Sequence, residues 1–498
     1  MAQFITLTNG GSCPAEAVPV LRYDDFAACL KDEVHAGAGI CSFFGVPHAR
    51  QLRLYIVLVK KDEATLAAGA MDVGQSYAAL TPEFPALHLF EREIYEQFSV
   101  LPQGHSRLKP VRFDGTDSPQ VGDMDFFKAE GNDVHEVAVG PIHAGVIECG
   151  HFRFQCLGEI VLHLEISLGY HHRGLEACFN QNPQKNALPL METLAGDSSI
   201  AHAWAFSTLR ESLNHTAVTR RAQTIRAIAL ELERLANHTG DLGALAGDMG
   251  YLPTASFCGR LRGDFLNMTA MLCGNRFGRG LVAPGGVNFD LEEALCLHLE
   301  KKLRPAARDV YGAVDLLWET PSVTSRMMEI GVVPEQAARD LGLAGPAARA
   351  SGLRRDVRIT HPLPGLQESQ LTMQVEKSGD VYARARIRLD EIHESVSFIL
   401  RELGGLHGQA EPLRAGSAGA PGVYGRPSTF GAALVEGWRG EICHTALTDA
   451  AGRLQRYKIV DPSFRNWIGL ALAMRGGQIS DFPLCNKSFN LSYCGVDL

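Results

Sequence analysis

The chain has 498 residues, of which 46% are hydrophobic and 21% charged. This composition is typical of a globular protein and excludes a disordered or fibrous chain, while the length predicts two or three domains. The net charge of -9 is not concentrated in one segment and no polybasic run occurs. We therefore expect no nucleic-acid partner.

The sequence predicts neither a membrane span nor an exported protein. No window approaches the roughly 18 apolar residues that a spanning helix needs, and the start, MAQFITLTNGGSCPAEAV, lacks the basic and apolar regions of an export signal. We therefore expect the chain in the cytoplasm, meeting a membrane only through other subunits. Twelve cysteines are scattered along the chain without a CxxC pair, which excludes the commonest zinc and cluster signatures.

The first part of the chain predicts a mixed α and β domain. The apolar run from Leu52 to Lys61 is typical of a buried strand, and PALHLFEREIYEQFSV predicts an amphipathic helix. Its apolar face consists of Leu87, Phe90, Ile94 and Phe98, and the side chains expected to face water are Glu91, Arg92, Glu93 and Glu96. A stretch rich in Gly, Asp and Ser follows. We predict domains over 1–113 and 139–498, joined by a linker over 114–138.

The second domain is predicted to open with a β-hairpin. Apolar and polar residues alternate from His151 to Leu157 and again from Ile160 to Leu168, and Gly158-Glu159 between them suits a tight turn. A long helix follows in RRAQTIRAIALELERLANHTGDLGALAGDMGY. The Gly- and Pro-rich segment 405–428 is predicted to be flexible. A second hairpin turning at 449–452 and a short helix lead to the end of the sequence.

The long helix carries a second, polar stripe besides its apolar one. The residues of this stripe, spaced by three and four, are Arg234, His238, Asp241, Leu245 and Asp248. On an isolated helix the pattern would indicate a solvated face with local ion pairs. In a large helical domain it indicates a buried polar network, and both interpretations stay open.

Several stretches occur in an order that resembles one known family. They are GPIHAGVIECGHFRF, LGYHHRGLE, RAQTIRAIALELERLANH, LVAPGGV, EGWRGEICH and VDPSFRNW. Together they resemble the large-subunit fold shared by membrane-bound nickel-iron hydrogenases and the quinone-site subunit of respiratory complex I. EREIYEQFSVLPQGHSRLKPVRF is similar to the signature of the small complex I subunit, here fused in front. The resemblance implies an α+β chain, with a small α/β domain followed by a large, mainly helical domain that begins with a β-hairpin.

The resemblance also indicates where metal ligands should lie. In hydrogenases of this fold, four thiolates in two CxxC pairs hold nickel, and soft ligands are what that metal needs. The expected positions carry Ala195, Ser198, Cys485 and Ser488, so at most one thiol stands where four are expected. The next cysteine, Cys494, lies too far along the chain to copy a CxxC chelate. We therefore expect no metal in this chain and interpret both cysteines as structural.

The resemblance to the complex I subunit also indicates where quinone-site residues should lie. The family uses a His in the first hairpin, for which His151 is the counterpart, and a Tyr whose position falls on Gly196. Glycine has neither a hydroxyl to bind a quinone carbonyl nor a proton to give. Asp197 beside it is a possible polar substitute, although an Asp after Gly is more often a turn or a helix cap.

Other charged residues match segments that line the family's central cavity. Arg439, Glu441 and His444 belong to EGWRGEICH, and Arg173 and Glu176 match the mouth of the cavity. In working relatives such groups pass protons or position substrate, and in a vacated site they could still tune a protonation change. The alternative is that they form the buried ion pairs that a large helical domain needs.

The favoured function is a coupling and architectural subunit with a vacated nickel-iron site, in a membrane-bound respiratory complex related to complex I and to energy-converting hydrogenases. Two alternatives stay open: a quinone-reducing subunit of an NADH-dehydrogenase-like oxidoreductase, and an atypical nickel-iron hydrogenase. The resemblance implies no cofactor in this chain, an iron-sulfur cluster in a small partner subunit, and antiporter-like and other integral membrane subunits as partners. It allows a quinone in the old cavity and a formate- or NADH-oxidising module. It places the chain on the cytoplasmic side of the inner membrane, as a peripheral subunit.

Overall fold

A computed structural model describes residues 3–61, 63–114, 120–143, 148–183, 186–406, 411–414 and 423–498. The strands in these residues are β1 (Ile5–Thr8), β2 (Gly11–Pro14), β3 (Val20–Leu21), β4 (Gly39–His48), β5 (Gln51–Val59), β6 (Thr65–Val73), β7 (Ser76–Ala78), β8 (Leu101–Gln103), β9 (Val134–Val139), β10 (His151–Leu157), β11 (Ile160–Ser167), β12 (Val282–Ala283), β13 (Gly286–Val287), β14 (Thr429–Gly437), β15 (Gly440–Thr448) and β16 (Leu454–Val460). The helices are α1 (Tyr23–His35), α2 (His88–Phe98), α3 (Leu175–Gln181), α4 (Ala187–Glu192), α5 (Ser199–Asn214), α6 (Arg220–Asp248), α7 (Leu252–Cys273), α8 (Glu293–Trp318), α9 (Pro321–Thr324), α10 (Glu335–Asp340), α11 (Gly345–Ala350), α12 (Val357–Thr360), α13 (Val381–Gly405), α14 (Pro462–Ala473), α15 (Phe482–Phe489) and α16 (Cys494–Asp497).

The N-terminal part is built on a sheet in the order β1-β6-β5-β4, with β3 parallel to β6. The predicted strand at Leu52 is confirmed as β5, and nearly all of its side chains are buried because both faces of the strand are covered. Phe26 and Leu30 of α1 are fully buried, so this helix joins the same core. The α/β character predicted for this part is confirmed.

Helix α2 is confirmed, but the prediction for its polar face is wrong. Glu91 and Glu93 are buried, at 0% and 1% exposure. Glu91 accepts hydrogen bonds from the backbone of Leu80 and Thr81, and Glu93 forms a 2.6 Å ion pair with Lys458 of β16. The helix is therefore covered on both sides, and its acidic residues are buried because each has partners.

The predicted hairpin is confirmed as β10 and β11, which pair antiparallel on either side of the Gly158-Glu159 turn. Strand β9 pairs with the other edge of β10. Most of β9 belongs to the predicted linker over 114–138, so the end of that segment is part of a sheet. The second predicted hairpin is confirmed as β15 and β16, where Asp449 accepts backbone hydrogen bonds from Ala451 and Arg453 in the turn.

The second part is mainly helical, with α6 at its centre. This helix has 29 residues, most of them buried, and packs against α5, α7, α13 and α15. Of its polar stripe, Arg234, His238 and Asp241 are buried, whereas Asp248 is exposed. Of the two interpretations, burial therefore holds for Arg234, His238 and Asp241, whereas the solvated one holds for Asp248, which lies at the last turn of the helix.

The two parts share a sheet and a core. Strand β2 pairs with β14 at the edge of the sheet β16-β15-β14-β2. The division at 114–138 stays a prediction, and the core is continuous across it. Of the segment 405–428, residues 407–410 and 415–422 lie outside the described residues. Within the described ranges, no helix has both the length and the apolar character required to cross a bilayer.

Candidate functional site

The segment expected to hold the first two thiolates joins α4 to α5. Ala195 and Ser198 are buried within it. Between them, the Asp197 carboxylate accepts two hydrogen bonds from the Arg439 guanidinium, at 2.6 and 2.8 Å. The Arg439 Nε donates to the carbonyl oxygen of Asn490 at 2.6 Å, so the pair ties this segment to the last residues of the sequence. Burial opposes the charge of Arg439, but the carboxylate of Asp197 outweighs burial and raises the pKa of Arg439.

Gly196 lies in the same segment with room around it. A Cβ added at this position would meet only the Arg279 guanidinium, at 3.8 Å, which is an ordinary contact. The backbone at Gly196 is also not in the left-handed region. Neither conformation nor close packing therefore requires a glycine here, so the missing side chain is a feature of this sequence rather than a demand of the fold.

Cys485 and Ser488, the other two expected thiolate positions, face a different part of the protein. Both are buried in α15, where the Ser488 hydroxyl donates to the carbonyl oxygen of Cys485 at 2.6 Å and accepts from Arg384 at 2.9 Å. The Cys485 sulfur packs against Gly331, close to where a Cβ on that glycine would lie. Burial raises the pKa of Cys485 to about 11, so it remains a neutral thiol at physiological pH.

Cys494 has its own, separate partner. Its thiol donates to the Glu148 carboxylate at 3.0 Å. Burial, followed by this hydrogen bond, raises the pKa of Cys494 to about 12. Among the described residues, no three His, Cys, Asp or Glu side chains converge as a metal site would require. With Ala195, Ser198 and Ser488 at three of the four expected thiolate positions and the neutral thiol of Cys485 at the fourth, the donor set does not fit a nickel-iron centre.

A chain of buried hydrogen bonds starts at Asp461, which caps α14 by accepting from the Ser463 backbone at 2.8 Å. The Asp461 carboxylate lies 3.2 Å from His202 Nε2, and His202 Nδ1 lies 3.1 Å from His444 Nε2. His444 Nδ1 lies 2.7 Å from the Tyr457 hydroxyl. All four side chains are buried, at 1% exposure or less.

One assignment of protons satisfies every group in this chain. With a proton on Nε2 of each histidine, His202 donates to Asp461, His444 donates to His202, and Tyr457 donates to His444. Burial, with the neighbouring His202, holds the pKa of His444 well below its usual range, which agrees with the neutral form. Because each of the two histidines both donates and accepts, the chain links Asp461 to Tyr457 without a break and can pass a proton between them.

The tail of the sequence closes over Asp461. The Ser463 hydroxyl accepts from the Ser492 backbone at 2.9 Å, and the Ser492 hydroxyl accepts from the Gly495 backbone at 2.9 Å. A Cβ at Gly495 would lie 2.6 Å from the carboxyl carbon of Asp461. Only glycine therefore fits at this position while Asp461 keeps its place.

A second carboxyl group lies at the start of α5. Glu233 of α6 is 8% exposed and accepts a hydrogen bond from the Ile200 backbone at 2.8 Å. Burial raises the pKa of Glu233 to about 8, with the nearby Asp197 carboxylate adding to the shift. Glu233 can therefore hold or release a proton near neutral pH, beside the ion pair of Asp197.

The polar stripe of α6 leads into a larger buried charge network. Its members, each at most 2% exposed, are Arg234, His238, Arg349, Arg358, Glu231, Glu391, Asp356 and Glu436. With His238 neutral, three arginines face four carboxylates, so the network has one positive charge too few. Burial and the Asp356 carboxylate raise the pKa of Glu436, whereas burial lowers the pKa of His238. Burial and the neighbouring carboxylate therefore favour the protonated form of Glu436.

Glu441 and Asp241 are held in separate buried pairs. Glu441 forms ion pairs with Arg355 and with Arg465, at 2.5 and 3.0 Å. Asp241 pairs with Arg388 at 2.8 Å. The structure thus separates the residues predicted from EGWRGEICH: Arg439 meets Asp197, Glu441 meets two arginines, and His444 joins the hydrogen-bonded chain.

Arg173 and Glu176 do not pair with each other. The Arg173 guanidinium donates to the carbonyl oxygens of Thr193 and Leu194, at 2.9 and 3.2 Å. Glu176 accepts from Lys458 at 3.3 Å and lines a small cavity of about 260 Å³. Lys458 also pairs with Glu93, so Glu176 belongs to the contact between the two parts of the chain.

His151 is buried and engaged at both ring nitrogens. Its Nδ1 lies 3.3 Å from the carbonyl oxygen of Gly140, and its Nε2 accepts from Arg153 at 3.2 Å. Its ring also contacts Phe126. In this arrangement neither nitrogen of His151 is left for a ligand.

Sequence reasoning missed His202, Asp461, Tyr457 and Glu233. The run Asp461-Pro462-Ser463 carries the signal of a helix N-terminus, an N-cap followed by Pro, but this pattern does not reveal a hydrogen bond to a histidine 259 positions away. Glu233 lies on the apolar-rich part of α6 and looks like an ordinary helical Glu. The spacing of residues along the chain therefore predicts neither the contact of His202 with Asp461 nor that of Glu233 with the start of α5.

Comparison with known proteins places the chain in a family. Residues 248–416 match the family described as respiratory-chain NADH dehydrogenase, 49 Kd subunit. Formate hydrogenlyase subunit 5 of Escherichia coli (strain K12) is 29% identical over 443 residues, which are 84% of this chain and 77% of that protein. The carbon monoxide-induced hydrogenase of Rhodospirillum rubrum is 30% identical over 359 residues, or 72% of this chain and 97% of that protein.

NADH-quinone oxidoreductase subunit 4 of Thermus thermophilus is 30% identical over 378 residues, which are 70% of this chain and 90% of that protein. A chain in the structure of the membrane-bound sulfane sulfur reductase, an archaeal respiratory membrane complex, has the same fold. Its TM-score is 0.67 at 22% identity, covering 74% of this chain and all of that chain. The protein therefore belongs to the family that unites the 49 Kd subunit of respiratory-chain NADH dehydrogenase with related hydrogenase subunits, and it is a subunit of a complex I-like or hydrogenase-related respiratory complex.

Proposed function

We propose that this chain is a coupling and architectural subunit whose nickel-iron site is vacated. The observation that carries the proposal is the donor set: Ala195 and Ser198 replace two thiolates, and Cys485 is a neutral thiol packed against Gly331. The Asp197–Arg439 ion pair occupies the same segment and joins it to Asn490. Such a site holds its own charges in place without a metal.

The coupling part of the proposal rests on groups that can hold or pass a proton. Glu233 has a pKa of about 8, and the chain from Asp461 to Tyr457 is continuous. The charge network around Glu436 lacks one positive charge. A change of charge in a neighbouring electron carrier would alter the proton occupancy of these groups, because buried charges interact strongly.

The proposed partners are those that membership of this family implies. We propose a small iron-sulfur subunit next to this chain, antiporter-like and other integral membrane subunits below it, and a formate- or NADH-oxidising module as electron source. The chain itself carries no cofactor in this arrangement. We place it peripherally on the cytoplasmic side of the inner membrane.

The decisive experiment is elemental analysis of the complex purified from its native membrane. We expect far less than one nickel per chain and no hydrogen uptake by the membranes. A hydrogenase-containing membrane prepared in parallel provides the positive control for both assays. Stoichiometric nickel, or hydrogen uptake that disappears when the gene for this chain is deleted, would refute the vacated site and support the atypical hydrogenase.

The second candidate function is quinone reduction, which is supported by the sequence similarity to NADH-quinone oxidoreductase subunit 4. The geometry favours it less, because His151 has both nitrogens engaged and Gly196 offers no hydroxyl. The test is quinone reduction by complexes carrying His151→Ala or Asp197→Ala. Unchanged rates in both variants would exclude these residues as the quinone site, whereas loss in both would favour this candidate over the first.

A further inference from the structure

A separate cavity of about 700 Å³ runs along β11, which is an edge strand of its sheet. It is enclosed by α2, residues 105–111, β11 and α14, and none of the residues of the Asp461 hydrogen-bonded chain lines it. The volume is in the range of small-molecule sites. Its apolar wall includes Pro85, Leu89, Val111, Leu164, Leu168 and Ala471.

One side of this cavity carries hydrogen-bond donors that face each other. His163 lies between two arginines: its Nε2 is 3.2 Å from Arg107 and its Nδ1 is 3.4 Å from Arg475. A guanidinium can only donate, and a neutral imidazole has one acceptor nitrogen. Burial and the two arginines lower the pKa of His163, which keeps it neutral. At most one of the two contacts is therefore a hydrogen bond. In the other contact, the N–H group of the imidazole and an N–H group of the arginine point at each other.

The carboxylates that line the cavity do not pair with Arg475, which is an exposed residue. The Glu165 carboxylate accepts hydrogen bonds from Lys109 at 2.8 Å and from the Phe127 backbone at 2.7 Å, and it forms an ion pair with Arg107. Asp340 accepts from Gln336 at 2.7 Å. Among the described residues, the Arg475 guanidinium has His163 as its hydrogen-bond contact and makes no ion pair. An acceptor placed beside His163 would relieve the clash of donors.

We propose that this cavity binds an amphipathic ligand with an acyl chain and an anionic head, carboxylate or phosphate. The head lies beside His163, where it accepts from Arg475, Arg107 and the imidazole N–H in charge-assisted hydrogen bonds. The chain extends along Leu164, Leu168 and Ala471, from which it displaces water. This site is independent of the proposed function of the chain.

The test uses the full-length chain and a fatty acid that carries bromine. Trp467 lines the cavity and is buried, so a dibrominated stearate should quench its fluorescence in a saturable, one-to-one manner. The methyl ester of the same acid should bind about tenfold more weakly, since it lacks the charge that one charge-assisted hydrogen bond requires.

Two variants separate the roles of head and chain. Arg475→Gln should weaken binding of the acid about tenfold and leave the ester unchanged. Ala471→Phe fills the chain region and should abolish saturable quenching by both ligands. Arg304→Gln, an exposed arginine paired with Glu300 on α8, is the matched control for loss of one positive charge and should bind like the native chain. Circular dichroism and thermal melting check that each variant is folded.

Equal binding of acid and ester to the native chain overturns the proposal, as does the absence of saturable quenching. Since neither measurement uses a variant, the proposal stays falsifiable even if a substitution prevents folding. Mass spectrometry of lipids extracted from the purified complex then distinguishes the sources. A bound free fatty acid identifies the carboxylate head, and a bound phospholipid identifies the phosphate head.

Discussion

Asp197 illustrates how burial and partner decide what a charged residue does. Its sequence context allowed a polar substitute for a lost tyrosine or a turn residue. In the structure its carboxylate meets the guanidinium of Arg439, from which it is separated by 242 positions. The Asp197 side chain is 33% exposed, whereas that of Arg439 is only 6% exposed. The buried guanidinium of Arg439 therefore depends on its partner more than the partly hydrated carboxylate of Asp197 does.

This inequality predicts different costs for breaking the pair. Asp197→Ala leaves a buried guanidinium without its anion and should lower the free energy of unfolding by about 2 kcal/mol. Arg439→Met leaves a carboxylate that water can reach and also removes the hydrogen bond to the carbonyl oxygen of Asn490, and it should cost about 1 kcal/mol. Urea denaturation of the two variants and the native chain measures the difference. Equal costs, or a larger cost for Arg439→Met, would contradict the burial argument.

Glu233 predicts a stability that depends on pH in a defined direction. Its pKa is about 8 in the folded protein and 4.5 as an ordinary carboxyl, so the folded state holds this proton more tightly than the unfolded state. The contribution of Glu233 to stability is fully present below pH 4.5 and is lost as the pH rises to about 8. Glu233→Gln should remove this part of the pH dependence in urea denaturation between about pH 5 and 8. Glu300→Gln on the exposed face of α8 should leave it unchanged.

At the scale of elements, α2 shows that an amphipathic pattern does not always mark a solvent boundary. Its apolar stripe is in the core as expected, but Glu93 on the other side forms ion pairs with Lys458 and Arg112. Burial alone would raise the pKa of Glu93, yet Lys458 and then Arg112 lower it to about 2. The polar face of α2 thus holds β16 and the segment around Arg112 through charge.

The pairing of α2 with β16 predicts an acid-sensitive contact. Because the pKa of Glu93 is about 2 when folded and 4.5 in an ordinary carboxyl, its contribution is fully present above pH 4.5 and is lost as the pH falls towards 2. At neutral pH, Glu93→Gln should cost about 3 kcal/mol, since it leaves buried cations unpaired. The difference from the native chain should shrink below pH 4.5. Glu83→Gln, which removes an exposed partner of Lys31, should be nearly neutral at every pH.

At the scale of the whole molecule, the predicted division at 114–138 crosses one continuous core. Strand β2 completes the sheet of β14, β15 and β16, and the ring of Tyr55 stacks on Phe430 at 5.7 Å. Phe90 packs on Phe464, and Arg112 donates to the carbonyl oxygen of Val496 at 2.8 Å. The two parts hold each other through apolar, ionic and backbone contacts together.

This continuity predicts that cutting the connection leaves the molecule whole. A protease site inserted at the exposed Asn132 should give, after cleavage, two fragments that elute together in gel filtration. Calorimetry of the uncut chain should show one cooperative transition, because the core spans both parts. Gel filtration of the cleaved protein in urea gives the elution positions of the separated fragments. Fragments that elute at those positions under native conditions would show that the two halves are independent domains.

The sequence by itself determined the family, the first hairpin, the strand β5 and the shortage of thiolates. These properties depend on residue identity and on local periodicity, and no folding can turn Ala195 or Ser198 into a cysteine. Only the tertiary structure decided which charges are buried and with whom they pair. Glu93 meets Lys458 across 365 positions, and His202 meets Asp461 across 259. Helical and strand periods describe neighbours within one element, whereas these contacts form when separate elements pack and exclude water from the groups between them.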